Sequence, residues 1–236
     1  AIDITRVIFG ENSCELATIL KNVASVSKDC EDFRRSLLLH QRVYEIFKSH
    51  FGERHHEIAA TLRNMAIIHR IKKDFHQASV LYEKALDITR QLHGEYHKDV
   101  AEILNDLGVV YHRLKEDTLS MDRLMGALNT YKIIHGEESV EVAIVLSNIA
   151  IILKDKKDYK AALKTFEQSL SIYKNLFGEE RKEVATISKN IAVVMKECGS
   201  PFALSTFQKA LDLNARAFGE TSSEVADILT HIATIY

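Results

Sequence analysis

Apolar residues return along this chain at steps of three and four, the spacing of a helix face rather than the alternation of a half-buried strand. Ala59, Leu62, Met65, Ala66 and His69 mark one such face. Lys72-Lys73-Asp74-Phe75 interrupts the pattern, and a second stripe follows at Ala78, Leu81, Tyr82, Ala85, Leu86 and Ile88. Gly94 comes next and ends the second helix, because glycine takes the left-handed conformation that a helix C-terminus needs. The pattern predicts a helix–turn–helix unit.

That unit recurs. Gly-Glu stands at Gly10, Gly52, Gly94, Gly136, Gly178 and Gly219, in steps of 42 residues with a last step of 41. An acidic residue two before an alanine keeps the same register at Glu15, Glu57, Asp99, Glu141, Glu183 and Glu224. It opens each first helix, where a carboxylate complements the free N–H groups and the positive dipole end. A small residue follows at Ala24, Ala66, Gly108, Ala150, Ala192 and Ala233. One such unit cannot bury both its apolar faces, so neighbours must stack into an all-α solenoid. The expected organisation is a single array over 1–236: a half repeat at 1–10, repeats at about 11–52, 53–94, 95–136, 137–178 and 179–219, and a partial repeat at 220–236.

Leu107-Gly108-x2-Tyr111, and Ala78-x3-Tyr82, Ala162-x3-Phe166 and Ala203-x3-Phe207, fit the tetratricopeptide (TPR) pattern. The small residue lets two helices approach closely while the aromatic ring fills the space beside it. The longer period, together with runs such as Ala59-Ala60-Thr61-Leu62-Arg63-Asn64-Met65-Ala66 and Leu81-Tyr82-Glu83-Lys84-Ala85-Leu86-Asp87-Ile88, resembles the kinesin light chain type of TPR. The resemblance covers the whole chain. It implies a right-handed superhelix of paired helices that binds other proteins, with the first helices lining a concave groove.

Composition narrows the function. Apolar residues make up 46% and charged residues 27%, which excludes a disordered tail. Lys plus Arg is 31 against 33 Asp plus Glu, a net charge of −2, so nucleic acid is not an expected partner. No apolar run approaches the ~20 residues of a membrane helix, and membrane insertion is not expected. Three cysteines, Cys14, Cys30 and Cys198, are too few and odd in number for a disulfide framework. The simplest setting is a reducing, cytoplasmic one. Ala1-Ile2-Asp3-Ile4 aligns with Ala85-Leu86-Asp87-Ile88, and Tyr236 with Tyr111. Neither end reads as a polar cap, so a cut from a longer array is expected. Ile2, Ile4, Ile8, Phe9, Ile232 and Ile235 would then be exposed and open to self-association.

The chain has no phosphate-cradling glycine loop, no His-Glu-x-x-His and no Cys-x-x-Cys, so neither an enzyme nor a cofactor is expected. His93 and His97 have a ligand-like spacing, but no third ligand is evident in the sequence, and no metal is expected. Cys198-Gly199-Ser200-Pro201 reads as a shortened inter-helix turn. The distinctive pattern lies on the first helices. Four residues after each small residue stand Lys28, Arg70, His112, Lys154 and Lys196; three before it stand Lys21, Arg63, Asn105, Ser147 and Lys189. The rows are seven residues apart and share a face with Ser25, Ile67, Val109, Ile151 and Val193. A cation in the last turn of a helix offsets the dipole whatever else it does, whereas the inner row is mid-helix, where the dipole explains nothing. Together they read as donors flanking a branched apolar strip, suited to a linear peptide with acidic residues and an apolar anchor. Asn22, Asn64, Asn148 and Asn190 are expected to hydrogen-bond between repeats. A structural spacer, or a sensor region of a larger signalling protein, is the alternative to this adaptor reading.

Overall fold

The computed structural model of the chain describes residues 2–235, apart from the side chain of Ile2. Ala1 and Tyr236, aligned above with Ala85 and Tyr111, lie outside the described residues, as does the Ile2 side chain expected to be exposed. Among the described residues there are twelve helices and no strand: α1 (Ile2–Phe9), α2 (Cys14–Asp29), α3 (Phe33–Phe51), α4 (His56–Ile71), α5 (Phe75–His93), α6 (Lys98–Arg113), α7 (Asp117–His135), α8 (Val140–Asp155), α9 (Tyr159–Phe177), α10 (Lys182–Glu197), α11 (Ala203–Phe218) and α12 (Ser223–Ala233). No helix among the described residues is long and apolar enough to cross a membrane.

Local chemistry sets the boundaries. The first helices α2, α4, α6, α8 and α12 begin at Ser13, His55, His97, Ser139 and Ser222, each accepting a first-turn N–H. Asp32, Asp74 and Asp158 do the same for the second helices α3, α5 and α9. At the turn inside each repeat, Glu31, Lys73, Lys115 and Lys157 adopt left-handed backbone angles with φ of 61, 62, 66 and 62°. Hydrogen bonds such as Lys73 N–H to the Arg70 carbonyl and Asp74 N–H to the His69 carbonyl offset that cost by closing the preceding helix.

Gly199, φ 72°, stands in the same register 42 residues after Lys157, so the Cys198–Pro201 turn is of ordinary length. The missing residue falls after it. Pro201 and Phe202 delay α11, which has 16 residues against 19 in α9 and no side-chain cap.

The helices build two compact units, Ala1–Arg123 and Leu124–Tyr236. In the first, α3 packs on α2 and α4, and α5 on α4 and α6. Because α4 meets second helices on two sides, its buried face is wider than one stripe. Ile58, Thr61 and Ile68 join Ala59, Leu62 and Ala66 inside, while Met65 and His69 are only half-buried. In the second unit α9 packs on α8 and α10, and α11 on α10 and α12. Phe207 is buried there with Ala192, Ala210 and Ile228, and Ile232 and Ile235 pack against that cluster rather than standing exposed. Ile4, Ile8 and Phe9 are exposed as expected.

Two repeats lack the Ala-x3-aromatic pair, and their substitutes are informative. Ser36 and Ser120 replace the alanine, are fully buried, and each donates a 2.6 Å hydrogen bond, to the Ala24 and Gly108 carbonyls. The hydroxyl thereby joins second helix to first at the small residue. The ring position, occupied by Tyr82, Phe166 and Phe207, is His40 in the first repeat and Leu124 in the third.

Candidate functional site

In the first unit the two rows of side chains lie on α2, α4 and α6. The inner row is engaged within the protein. Lys21 Nζ lies 2.9 Å from Glu57, the acid that opens the next first helix. Arg63 reaches Glu102 at 2.6 Å and Asp106 at 3.4 Å on α6. Asn105 is half-buried. These ion pairs tie successive first helices together across 36 to 43 residues of sequence. Burial works against the Arg63 charge, yet Asp106 and Glu102 hold its pKa above the usual value. Burial likewise pushes the Asp106 carboxyl above its ordinary range, against the pull of Arg63 and Arg70.

The outer row is differently placed. Lys28 pairs with its chain neighbour Asp29, at 3.3 Å, and His112 Nδ1 lies 3.0 Å from Asp117, the first residue of α7. Arg70 is half-buried and forms no ion pair among the described residues; its Nε is buried without a hydrogen-bond partner. The groups whose charge it influences are Asp106 and the phenol of Tyr82. That phenol is fully buried beside Asp106, Arg70 and Arg63, and burial and then Asp106 raise its pKa. Ile67 and Val109 are half-buried between the rows, and Ser25 is exposed.

The second unit repeats the logic with different partners. Lys189 pairs with Asp227 on α12 at 2.9 Å. Lys196 reaches the His231 carbonyl at 3.4 Å and the Thr234 hydroxyl. Lys154 meets its neighbour Asp155 at 3.1 Å. Ser147 turns inward, its hydroxyl 2.8 Å from that of Ser169 on α9. Ile151 and Val193 are half-buried. The asparagines differ from expectation: Asn22 is exposed, Asn64 and Asn190 are half-buried, and none of these three forms a hydrogen bond to another repeat among the described residues. Ion pairs such as Lys21 with Glu57, Arg63 with Glu102 and Lys189 with Asp227 link successive first helices.

Comparison with known proteins agrees with this geometry. The tetratricopeptide repeat family model matches at residues 15–91, 57–133, 99–175 and 141–201. No curated protein matches the sequence. Among solved structures, BtubC (BKLC) from P. vanneervenii superposes with a TM-score of 0.77 at 21% identity, covering 89% of this chain and 84% of that one. Kinesin light chain TPR-like repeats from Podosopora anserina give 0.75 at 14% identity, covering 87% and 97%. The apo form of RapI gives 0.73 at 14% identity, covering 93% and 84%. With the repeat register, the helix pairing and the family model in agreement, the chain belongs to the tetratricopeptide repeat family, a family of protein–protein interaction modules.

Proposed function

We propose that the chain is an adaptor whose first unit holds an extended segment of a partner protein across α2, α4 and α6. The segment carries an acidic residue and an apolar anchor. The observation that carries this reading is Arg70, a half-buried guanidinium with no ion pair among the described residues, beside the half-buried Ile67 on the same helix face. Lys21, Arg63 and Lys189 already have carboxylates from a neighbouring repeat, and Lys28, His112 and Lys154 have them from their own, so Arg70 is the cation that meets the ligand's acid. An Arg fork grips a carboxylate through two parallel bonds, and a fixed, partly desolvated Arg loses little entropy in doing so.

Fluorescence anisotropy against labelled acidic, neutral and basic peptides, each with one central apolar residue, tests the reading. Acidic peptides should bind more tightly, and less so as salt rises. Arg70→Glu should weaken acidic-peptide binding by about tenfold or more, while Lys156→Glu, in the turn after α8, should leave it unchanged. Equal binding of acidic and basic peptides, or a silent Arg70→Glu, would overturn it.

A further inference from the structure

The junction between α5 and α6 gathers three metal-ligating side chains that the peptide-binding face does not use. Gly94, φ 81°, turns the chain after α5. His93 in the last turn of α5 and His97 at the start of α6 therefore meet, their rings stacked with centroids 4.3 Å apart and planes 17° from parallel. His97 Nδ1 accepts the Asp99 N–H at 3.2 Å, an arrangement that leaves Nε2 outside the cap. The Asp99 carboxylate returns to the same ring, with Oδ2 at 3.7 Å from Nδ1. One ligand atom from each of His93, His97 and Asp99 lies within 4.8 Å of the other two. The third ligand that the sequence did not show is supplied by the first turn of α6.

The repeat provides its own comparison. The equivalent positions at the other junctions are Phe9, Ser13 and Glu15; Phe51, His55 and Glu57; His135, Ser139 and Glu141; Phe177, Arg181 and Glu183; and Phe218, Ser222 and Glu224. Phe51 stacks on His55 at 4.1 Å, and the Arg181 guanidinium sits 4.5 Å from the Phe177 ring centre. Stacking therefore accounts for a ring at position 93. It does not account for two imidazoles meeting here, nor for an acid one methylene shorter than the Glu of every other junction.

We propose that His93, His97 and Asp99 bind a divalent transition-metal ion of the zinc class, clamping the end of α5 to the start of α6. Two imidazole nitrogens and one carboxylate oxygen suit a borderline dication; Mg2+ and Ca2+ prefer shells of oxygen. His93 and Asp99 are exposed and His97 is half-buried, so side-chain rotation brings the three ligand atoms to the ~3.3 Å spacing around one tetrahedral ion at little desolvation cost. His93 and Asp99 also line a cavity of about 130 Å3 with Ala59, Ala60, Leu92 and Ile103. One ordered water needs only about 10–15 Å3, so a metal-bound water in the fourth position has room.

Competition of the tag-free full chain with a chromophoric Zn2+ chelator at neutral pH tests the site, together with the visible spectrum of bound Co2+. One Zn2+ should bind most tightly, Co2+ should give the intense absorption of a tetrahedral N/O site, and Mg2+ should not compete. His93→Phe keeps the ring stack found at Phe51 and His55 while removing a ligand, and Asp99→Asn removes the charge. Each should weaken the tightest Zn2+ by tenfold or more and abolish the rise in melting temperature that Zn2+ gives the unsubstituted chain. With eleven histidines in the chain, His135→Gln serves as the control and should leave that site intact. No stoichiometric Zn2+ binding, or unchanged affinity in both His93→Phe and Asp99→Asn, would overturn the proposal.

Discussion

Acid should destabilise this protein through one histidine. His40 occupies the ring position of its repeat, is 2% exposed, and has Nδ1 buried without a hydrogen-bond partner. Burial, and then Lys28 and Lys21 on α2, lower its pKa from the usual 6.5 to about 4. Between those values the unfolded chain takes up a proton that the folded chain refuses, so stability rises with pH there and falls as pH drops through 6.5 toward 4. Taking the two values as they stand, moving from pH 7.5 to pH 5 should cost about 2 kcal/mol from this group alone. Carboxylates titrate in part of the same range, so the quantity to measure is the difference between the native chain and His40→Phe, which places at 40 the ring type found at Phe166 and Phe207. Urea unfolding followed by circular dichroism at the two pH values gives that difference, and hydrogen exchange of α2 and α3 amides shows whether it arises there. His40→Phe should be at least as stable at pH 7.5, having lost an unpaired buried nitrogen, and should lose about 2 kcal/mol less on acidification. His40→Leu, with the residue of the Leu124 position, guards against overpacking by the larger ring. If both variants lose as much stability in acid as the native chain, the reasoning fails.

Two further outcomes follow from the inter-repeat ties and the turns. Arg63→Ala leaves Glu102 and the half-buried Asp106 without their guanidinium, and should lower unfolding free energy by about 1–3 kcal/mol in urea titration. Lys157→Gly, at φ 62°, should raise stability by up to ~1 kcal/mol, because glycine already fills the equivalent left-handed position at Gly199. Lys156→Gly, with φ −77°, has no such strain to release and should be destabilising in the same titration.

Much of the architecture was legible in order along the chain. The six Gly-Glu dipeptides end the preceding helices through backbone angles and bonds within a few residues, so their spacing alone places helix, turn and helix. The Ala-x3-aromatic pairs named the repeat family because a small residue followed by a ring is the signature of closely packed helix pairs. The reading of Cys198–Pro201 missed where the residue was lost, because Gly199 keeps a register visible only in the backbone angles of the other turns.

What the sequence could not decide is which charges remain available. Lys21 and Glu57, Arg63 and Glu102, and Lys189 and Asp227 are 36 to 39 residues apart, and their pairing depends on how far one first helix is offset from the next. A periodicity reports that a row of cations shares a face; it does not report whether a facing row of carboxylates neutralises it. Only the packed structure singles out Arg70, buries an unpaired His40, turns Ser36 and Ser120 into links between helices, and folds Asp99 back toward His93 and His97. Helices follow from local chemistry, whereas the partners of their side chains follow from the stacking of one repeat on another.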